Sequence, residues 1–336
     1  MISLGVVGST VRRIMRWTGK AILWLVVALL ILAVVGAIYQ VIATARAERA
    51  HPPPGELVDV GGHRLHIHCV GQGSPTVVLD GGTGEMSAHW VLVQREVSDT
   101  TRVCAYDRAG MGWSEMGPEP RDAKQISGEL HTLLTEAGIE GPYVLVGHSF
   151  GGLYMQTYAT RYPDEVAGVS LVEPSHPEQF SYRPVARDSY EPQKRIFAVA
   201  SLLARIGVVR LLFKLSPAPP ALPQQQRAQI DALSPSTRQV STYALELRAT
   251  PQTTTQTRNL RSLGDKPLAV VSAGPQEPEW LELQDDLATL SSNSMHRVVE
   301  GATHTSLVYE RSDAQATSAA IVEVVAAVRN DRSLAQ

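Results

Sequence analysis

Residues 21–39, AILWLVVALLILAVVGAIY, run without a charge, and nothing polar marks a solvent face along them. At ~1.5 Å per residue this stretch matches a hydrocarbon core of ~30 Å, so it predicts a transmembrane helix rather than a buried core helix. Beyond it the pattern shortens. Arg64–Val70 alternates, and 76–79, 102–106, 143–146, 168–172, 268–272 and 296–300 are brief apolar or alternating runs that read as strands. Helical stripes separate most of them: Ile126, Leu130, Leu133 and Leu134 ahead of Gly138, 154–162 ending at Pro163, Trp280 to Leu290, and Ile321 to Val328. Strand and helix in alternation predict an α/β fold, a mostly parallel sheet with helices on both faces. Residues 176–265 break the rhythm. They hold no convincing strand, are rich in Pro, Gln and Thr, and read as a helical lid insertion. Their apolar segment 196–215 is expected to pack within the lid, ahead of the substrate or the nearby membrane surface, and Arg205, Arg210 and Lys214 argue against a second span.

Charge adds topology to this outline. Arg12, Arg13, Arg16 and Lys20 precede the apolar run, whereas Arg46 and Arg49 follow it with Glu48 between them, which favours a cytoplasmic N-terminus and an exported body. The expected layout is a basic N-terminus (1–20), an anchor in the lipid bilayer (21–42), a Pro-rich linker (43–55, with Pro52, Pro53 and Pro54) and a globular domain (56–336). The result is a single-pass cell-membrane protein with its body outside. Secretion after cleavage at Ala43-Thr44-Ala45 is the competing reading, although a signal's apolar stretch usually covers only about 7 to 15 residues. With 30 Lys+Arg against 33 Asp+Glu, the net charge of −3 gives no reason to expect a nucleic-acid partner. Cys69 and Cys104 are the only cysteines, too few for a disulfide framework or a cysteine metal site. His66 and His68 alternate onto one face of a strand, but no third ligand accompanies them, so neither metal nor cofactor is expected.

The chemistry concentrates in Val144-Leu145-Val146-Gly147-His148-Ser149-Phe150-Gly151-Gly152, an apolar strand leading through G-x-S-x-G into a helix. A nucleophile on so sharp a turn needs neighbours without side-chain bulk. Ser149 is therefore the candidate nucleophile, and a serine hydroxyl needs a base held by a carboxylate. His304 fits the base: it follows a final strand, in the loop Gly301-Ala302-Thr303-His304, and precedes the last amphipathic helix. His148 adjoins the nucleophile and is expected to point away from it.

From about Glu56 to Val328 the chain resembles α/β-hydrolase-fold serine hydrolases. The resemblance extends to Thr101–Ser114 (TRVCAYDRAGMGWS), upstream of the nucleophile, and to Leu79-Asp80-Gly81-Gly82-Thr83-Gly84 at the oxyanion-loop position, where Asp80 replaces the His of many relatives. It implies oxyanion donation from the amides of Phe150 and Gly82. It also implies an acid between nucleophile and base, with Glu173 after a strand as the first candidate and Glu277 in the loop most relatives use as the second. By the same resemblance the strands of Cys69 and Cys104 lie side by side, which implies a disulfide in an exported domain. The implied activity is hydrolysis of a carboxylic ester, lipid or lactone through an acyl-enzyme, with a small-molecule or lipid-like substrate. Amidase, peptidase or cofactor-free perhydrolase chemistry on the same triad, and a tethered binding domain without turnover, are the rival readings.

Overall fold

The computed structural model describes residues 4–259, 262–274 and 276–334 and, of the first fourteen side chains, only that of Arg13. The side chain of Arg12, which entered the charge argument, and Pro275 of the Glu277 loop lie outside this description. The chain opens with α1 (Leu4–Ala50), a single 47-residue helix. One described helix, within Met15–Ala50, is long and apolar enough to cross a membrane, with mean hydropathy 3.1 in its most apolar window. Helix continues through 43–50 because ATARAERA contains neither Gly nor Pro, and it stops where Pro52 follows. The connection to the body is thus 51–55, shorter than the linker expected over 43–55.

The body follows as β1 (Glu56–Asp59), β2 (Arg64–Val70), β3 (Thr76–Asp80), α2 (Val91–Ser98), β4 (Val103–Tyr106), α3 (Ala123–Glu136), β5 (Tyr143–His148), α4 (Phe150–Arg161) and β6 (Val166–Val172). The insertion holds α5 (Gln179–Tyr182), α6 (Pro184–Arg205), α7 (Val208–Phe213), α8 (Gln224–Leu233), α9 (Thr237–Arg248) and α10 (Thr250–Thr257). Then come β7 (Leu268–Gly274), α11 (Pro278–Ala288), β8 (Ser294–Glu300), α12 (Ser306–Tyr309) and α13 (Arg311–Asn330).

The eight strands form one sheet in the order β1-β2-β4-β3-β5-β6-β7-β8. β2 pairs antiparallel with β1 and β4, and every other pairing is parallel. Strands β3 to β7 are almost wholly buried because both faces are covered, which is why they read as continuous apolar runs. Alternate residues still divide between faces. Val77, Leu79, Val144 and Val146 pack under α2 and α13, while Val78, Leu145, Val169 and Leu171 pack under α3 and α4. Strand order reverses between β4-β3 and β5-β6, so a crevice opens beyond the C-terminal ends of β3 and β5.

Two parts of the insertion differ from expectation. Helix α10 buries Thr250, Thr253, Thr254 and Thr257 against α3 and α4 and belongs to the body's outer layer, so the lid proper ends with α9. The apolar segment 196–215 does not pack away inside the lid. Ile196, Val199, Leu202, Leu211, Leu212 and Leu215 are exposed, because only a narrow stripe including Ala204 and Val209 is buried against Val240 of α9.

Candidate active site

Ser149 stands between β5 and α4 with φ 53° and ψ −123°, a strained turn that points its side chain out of the sheet. The glycines around it are needed by proximity. A Cβ on Gly147 falls 2.6 Å from the Gly151 backbone, and one on Gly151 falls 2.5 Å from the Asp80 carbonyl oxygen. The turn is pinned through backbone bonds: the Ser149 amide donates to Val172 and its carbonyl accepts from Ser175. The Phe150 amide opens α4, and among the described residues no hydrogen-bond acceptor engages it. It is available to a developing anion, aided by the helix dipole.

Glu173 follows β6 with φ 42°, again a left-handed conformation that costs about 1–3 kcal/mol for a side-chain-bearing residue. Ser149 and Glu173 are two of the three non-glycine residues with positive φ among those described. The Glu173 carboxylate is buried and accepts from the Ala273 amide at 2.7 Å, the Trp280 indole at 2.7 Å and the Gln276 amide at 3.1 Å. Its Oε1 lies 3.9 Å from Nδ1 of His304, longer than a hydrogen bond. Glu277 is elsewhere: its side chain is 56% exposed and paired with Arg183. His304 is half-exposed in the loop between β8 and α12, on the rim of the crevice that holds Ser149.

The oxyanion loop is built differently from expectation at one point. Gly82 does pack against the nucleophile, since a Cβ there would meet the Ser149 Cβ at 3.1 Å. Its amide, however, donates to Oε2 of Glu85 at 2.5 Å and is not free. Thr83, beside it, lines the same cavity with a buried hydroxyl that has no partner among the described residues. Glu85 also accepts from the Tyr309 hydroxyl and from Nδ1 of His148 at 3.0 Å. His148 does not point away from the site, as expected, but lines it. Its Nε2 reaches the His304 carbonyl oxygen at 2.9 Å, and the two rings stand 4.8 Å apart. Donation from both nitrogens requires the imidazolium. Burial opposes charge on each partner, but the mutual attraction outweighs it, raising His148 above its ordinary value and holding Glu85 far below the usual carboxylate range.

Asp80, the departure from the His of many relatives, has its own partner. Arg108, buried, donates to Asp80 at 2.6 Å, to the carbonyls of Gly81 and Gly82, and to both oxygens of Glu246 on α9. One guanidinium thereby ties β3, the oxyanion loop and the lid together. His66 is equally occupied, bonded to Asp107 at 2.9 Å and accepting from the Gly55 amide. Glu85, Arg108, Trp280 and Tyr309 carry contacts of this site that the sequence does not single out. A carboxylate three residues beyond Gly82, in an otherwise uncharged loop, was the one local signal.

Above Ser149 lies a cavity of about 790 Å³ with Gly82, Phe150 and His304 around the nucleophile and Phe197, Leu212, Phe213 and Tyr243 of the lid in its walls. Cys69 and Cys104 face each other across β2 and β4 and are joined by a disulfide.

The sequence pattern of the "Alpha/beta hydrolase family" matches residues 65–320. The (lyso)-N-acylphosphatidylethanolamine lipase of Bos taurus is 30% identical over 159 residues, which cover 46% of this chain and 45% of that protein. The chain spans about half the length of its curated relatives or less. An esterase from Thermogutta terrifontis aligns over 81% of this chain and 97% of its own at 21% identity and TM-score 0.61. A haloalkane dehalogenase from Bradyrhizobium elkani aligns over 82% and 99% at 16% identity and TM-score 0.65. At such identities the structures share a fold, and with the sequence match over three quarters of its length the chain belongs to the alpha/beta hydrolase family.

Proposed function

We propose that this hydrolase cleaves a carboxylic ester of a hydrophobic acyl group through an acyl-enzyme. The observation that carries the reading is the convergence of a strained, cavity-facing Ser149, the unengaged Phe150 amide, and a buried Glu173 aimed at Nδ1 of His304. In this reading Ser149 Oγ attacks the ester carbonyl while His304 takes its proton, then returns it to the leaving alcohol. Glu173 holds the ring in the tautomer that presents Nε2 and stabilises the imidazolium. The Phe150 amide and the Thr83 hydroxyl serve the oxyanion, the Gly82 amide being held by Glu85. Water then repeats the attack on the acyl-enzyme. The lid aromatics and leucines around the cavity favour an apolar acyl chain.

Residues 21–42 serve as a retained anchor with the body on the extracytoplasmic side. Supporting retention, the cleavage-like Ala43-Thr44-Ala45 sits inside α1, where Thr44 accepts a hydrogen bond from Arg210 of the lid. The disulfide suits an oxidising compartment. A fluorophosphonate probe tests the chemistry: the native chain is expected to label stoichiometrically and Ser149→Ala not at all. Labelling that survives Ser149→Ala sinks the assignment.

A further inference from the structure

The lid is bound to the anchor helix, and the contact lies inside the apolar run. A Cβ on Gly36 would fall 2.3 Å from the Ile206 carbonyl oxygen, and one on Gly207 would fall 3.0 Å from the Tyr39 ring. Next along α1, Arg210 of α7 donates to Gln40 at 2.9 Å and to Thr44 at 3.0 Å, and Gln40 donates to the Pro235 carbonyl. Residues 21–45 carry no charge, and a bilayer core takes ~20 of them. Every 20-residue window within 21–45 contains Gly36. Even the shallowest, 21–40, leaves Gly36 about 6 Å below the hydrocarbon edge at 1.5 Å per residue. That window also places the polar Gln40, Thr44 and Arg210 at the headgroup boundary, where their polar groups cost least. The turn at Ile206 and Gly207 therefore reaches the depth of the span.

The lid face that continues from this turn is apolar, and none of the described residues covers it. Leu211, one helical turn beyond Gly207, is 55% exposed and Leu215 is 83% exposed. Ile196, Val199 and Leu202 recur at every third position of α6 and are exposed as well. Arg195, Arg205 and Lys214 lie among them, exposed, as cations suited to anionic headgroups. Leu212 and Phe213 belong to the same segment, and both also line the cavity above Ser149. The wall of the reaction cavity and the bilayer-facing surface are thus one stretch of chain.

We infer that α6 and α7 are seated in the membrane interface beside α1 and that the cavity draws its substrate, an acyl ester of a bilayer lipid, sideways out of the leaflet. The substrate half of this inference rests on the hydrolase reading above, whereas the seating of the lid does not. Since both native cysteines are paired, Leu215→Cys provides a unique thiol for an environment-sensitive nitrobenzoxadiazole label, with Glu140→Cys on the body as control. In phosphatidylcholine–phosphatidylglycerol vesicles the label at 215 is expected to shift to the blue and lose at least half its emission to acyl-chain spin labels, with the control unaffected. Emission at 215 that is quenched by aqueous iodide as readily as at 140 overturns the seating. A lid packed on a second copy of the chain gives a shielded label that lipid spin labels do not quench, and this also overturns it.

The substrate half is read from Leu202→Glu/Leu211→Glu/Leu215→Glu. Hydrolysis of a long-chain fluorogenic acylglycerol in vesicles is expected to fall at least tenfold, while p-nitrophenyl acetate in solution stays within twofold. Equal losses on both substrates, or on neither, overturn lateral entry. A native chain that hydrolyses neither ester and resists fluorophosphonate overturns the hydrolase reading and the substrate half with it, and the depth quenching still decides the seating.

Discussion

Glu173→Gln removes the charge of the proposed acid while keeping its shape, and the surroundings of the carboxylate set the size of the effect. Three N–H groups converge on its two oxygens, from Ala273, Trp280 and Gln276. An amide has one oxygen to offer. If that oxygen faces Ala273, the new NH2 meets the Trp280 and Gln276 donors, and if it is flipped, the NH2 meets the Ala273 amide. Either way a buried donor loses its acceptor, which costs about 1–3 kcal/mol of stability. In the proposed triad His304 then faces a donor where the NH2 takes the Oε1 position, and in the flipped form it keeps an oxygen but loses the charge that stabilises its imidazolium. The corresponding change in a serine triad lowers kcat by roughly 10⁴, or about 5 kcal/mol at 1.36 per decade. Glu277→Gln touches only an exposed pair with Arg183, worth about 0–1 kcal/mol, and is expected to leave kcat within about twofold. The assay is steady-state hydrolysis of p-nitrophenyl butyrate, normalised by fluorophosphonate titration of active sites and accompanied by thermal denaturation of each variant. The reasoning fails if folded Glu173→Gln stays within tenfold of the native kcat, or if Glu277→Gln loses more than Glu173→Gln.

Glu85→Gln probes the buried pair under the oxyanion loop and should destabilise the fold by about 3–5 kcal/mol near pH 6. Its pH dependence has two signs. The raised His148 contributes stability that is complete below its ordinary 6.5 and lost as pH climbs through the folded value, and the depressed Glu85 contributes stability present above its ordinary 4.5 and lost as pH falls. The native-minus-variant gap in denaturant midpoint should therefore peak between about 4.5 and 6.5 and narrow toward alkaline pH, and a gap flat from pH 5 to 10 contradicts the charged pair. Arg108→Met strands Asp80 and Glu246 without their counter-charge and is expected to cost about 3–5 kcal/mol by urea denaturation, with a loss under 1 kcal/mol counting against the tie between lid and loop. Opening the Cys69–Cys104 link, which closes a loop of sequence separation 35, should cost about 4 kcal/mol by loop entropy. Paired Cys→Ser variants that melt with the native chain refute it.

What the sequence disclosed follows the range of the interactions. The central strands read correctly because burial on both faces makes them continuous apolar runs, and the elbow read correctly because strand, glycines, serine and helix are contiguous in the chain. The four-residue β1 and the helix α2 lay below that threshold: ELVD is a half-buried edge, and VLVQREVS is too short to show a stripe. Glu85 and His148 are 63 residues apart, and Arg108 and Glu246 are 138 apart, so no local pattern announces either contact. His148 appeared to be a bystander because neighbours in sequence were visible and Glu85 was not.

The lid's apolar face is legible in the sequence and its partner is not. Spacing on α6 and α7 leaves the lid core, the substrate and the membrane surface all open, because periodicity specifies only that a face avoids water. Here the neighbour that decides the matter is in the same chain: Gly36, hidden in a uniformly apolar run, is the small residue that lets Ile206 reach the α1 backbone. A larger residue at 36 would hold the lid away from the span while leaving the hydropathy of residues 21–39 almost unchanged. The depth of the lid is thus set by a side-chain size that hydropathy does not register, and it is this contact that joins the anchor at one end of the sequence to the cavity over Ser149.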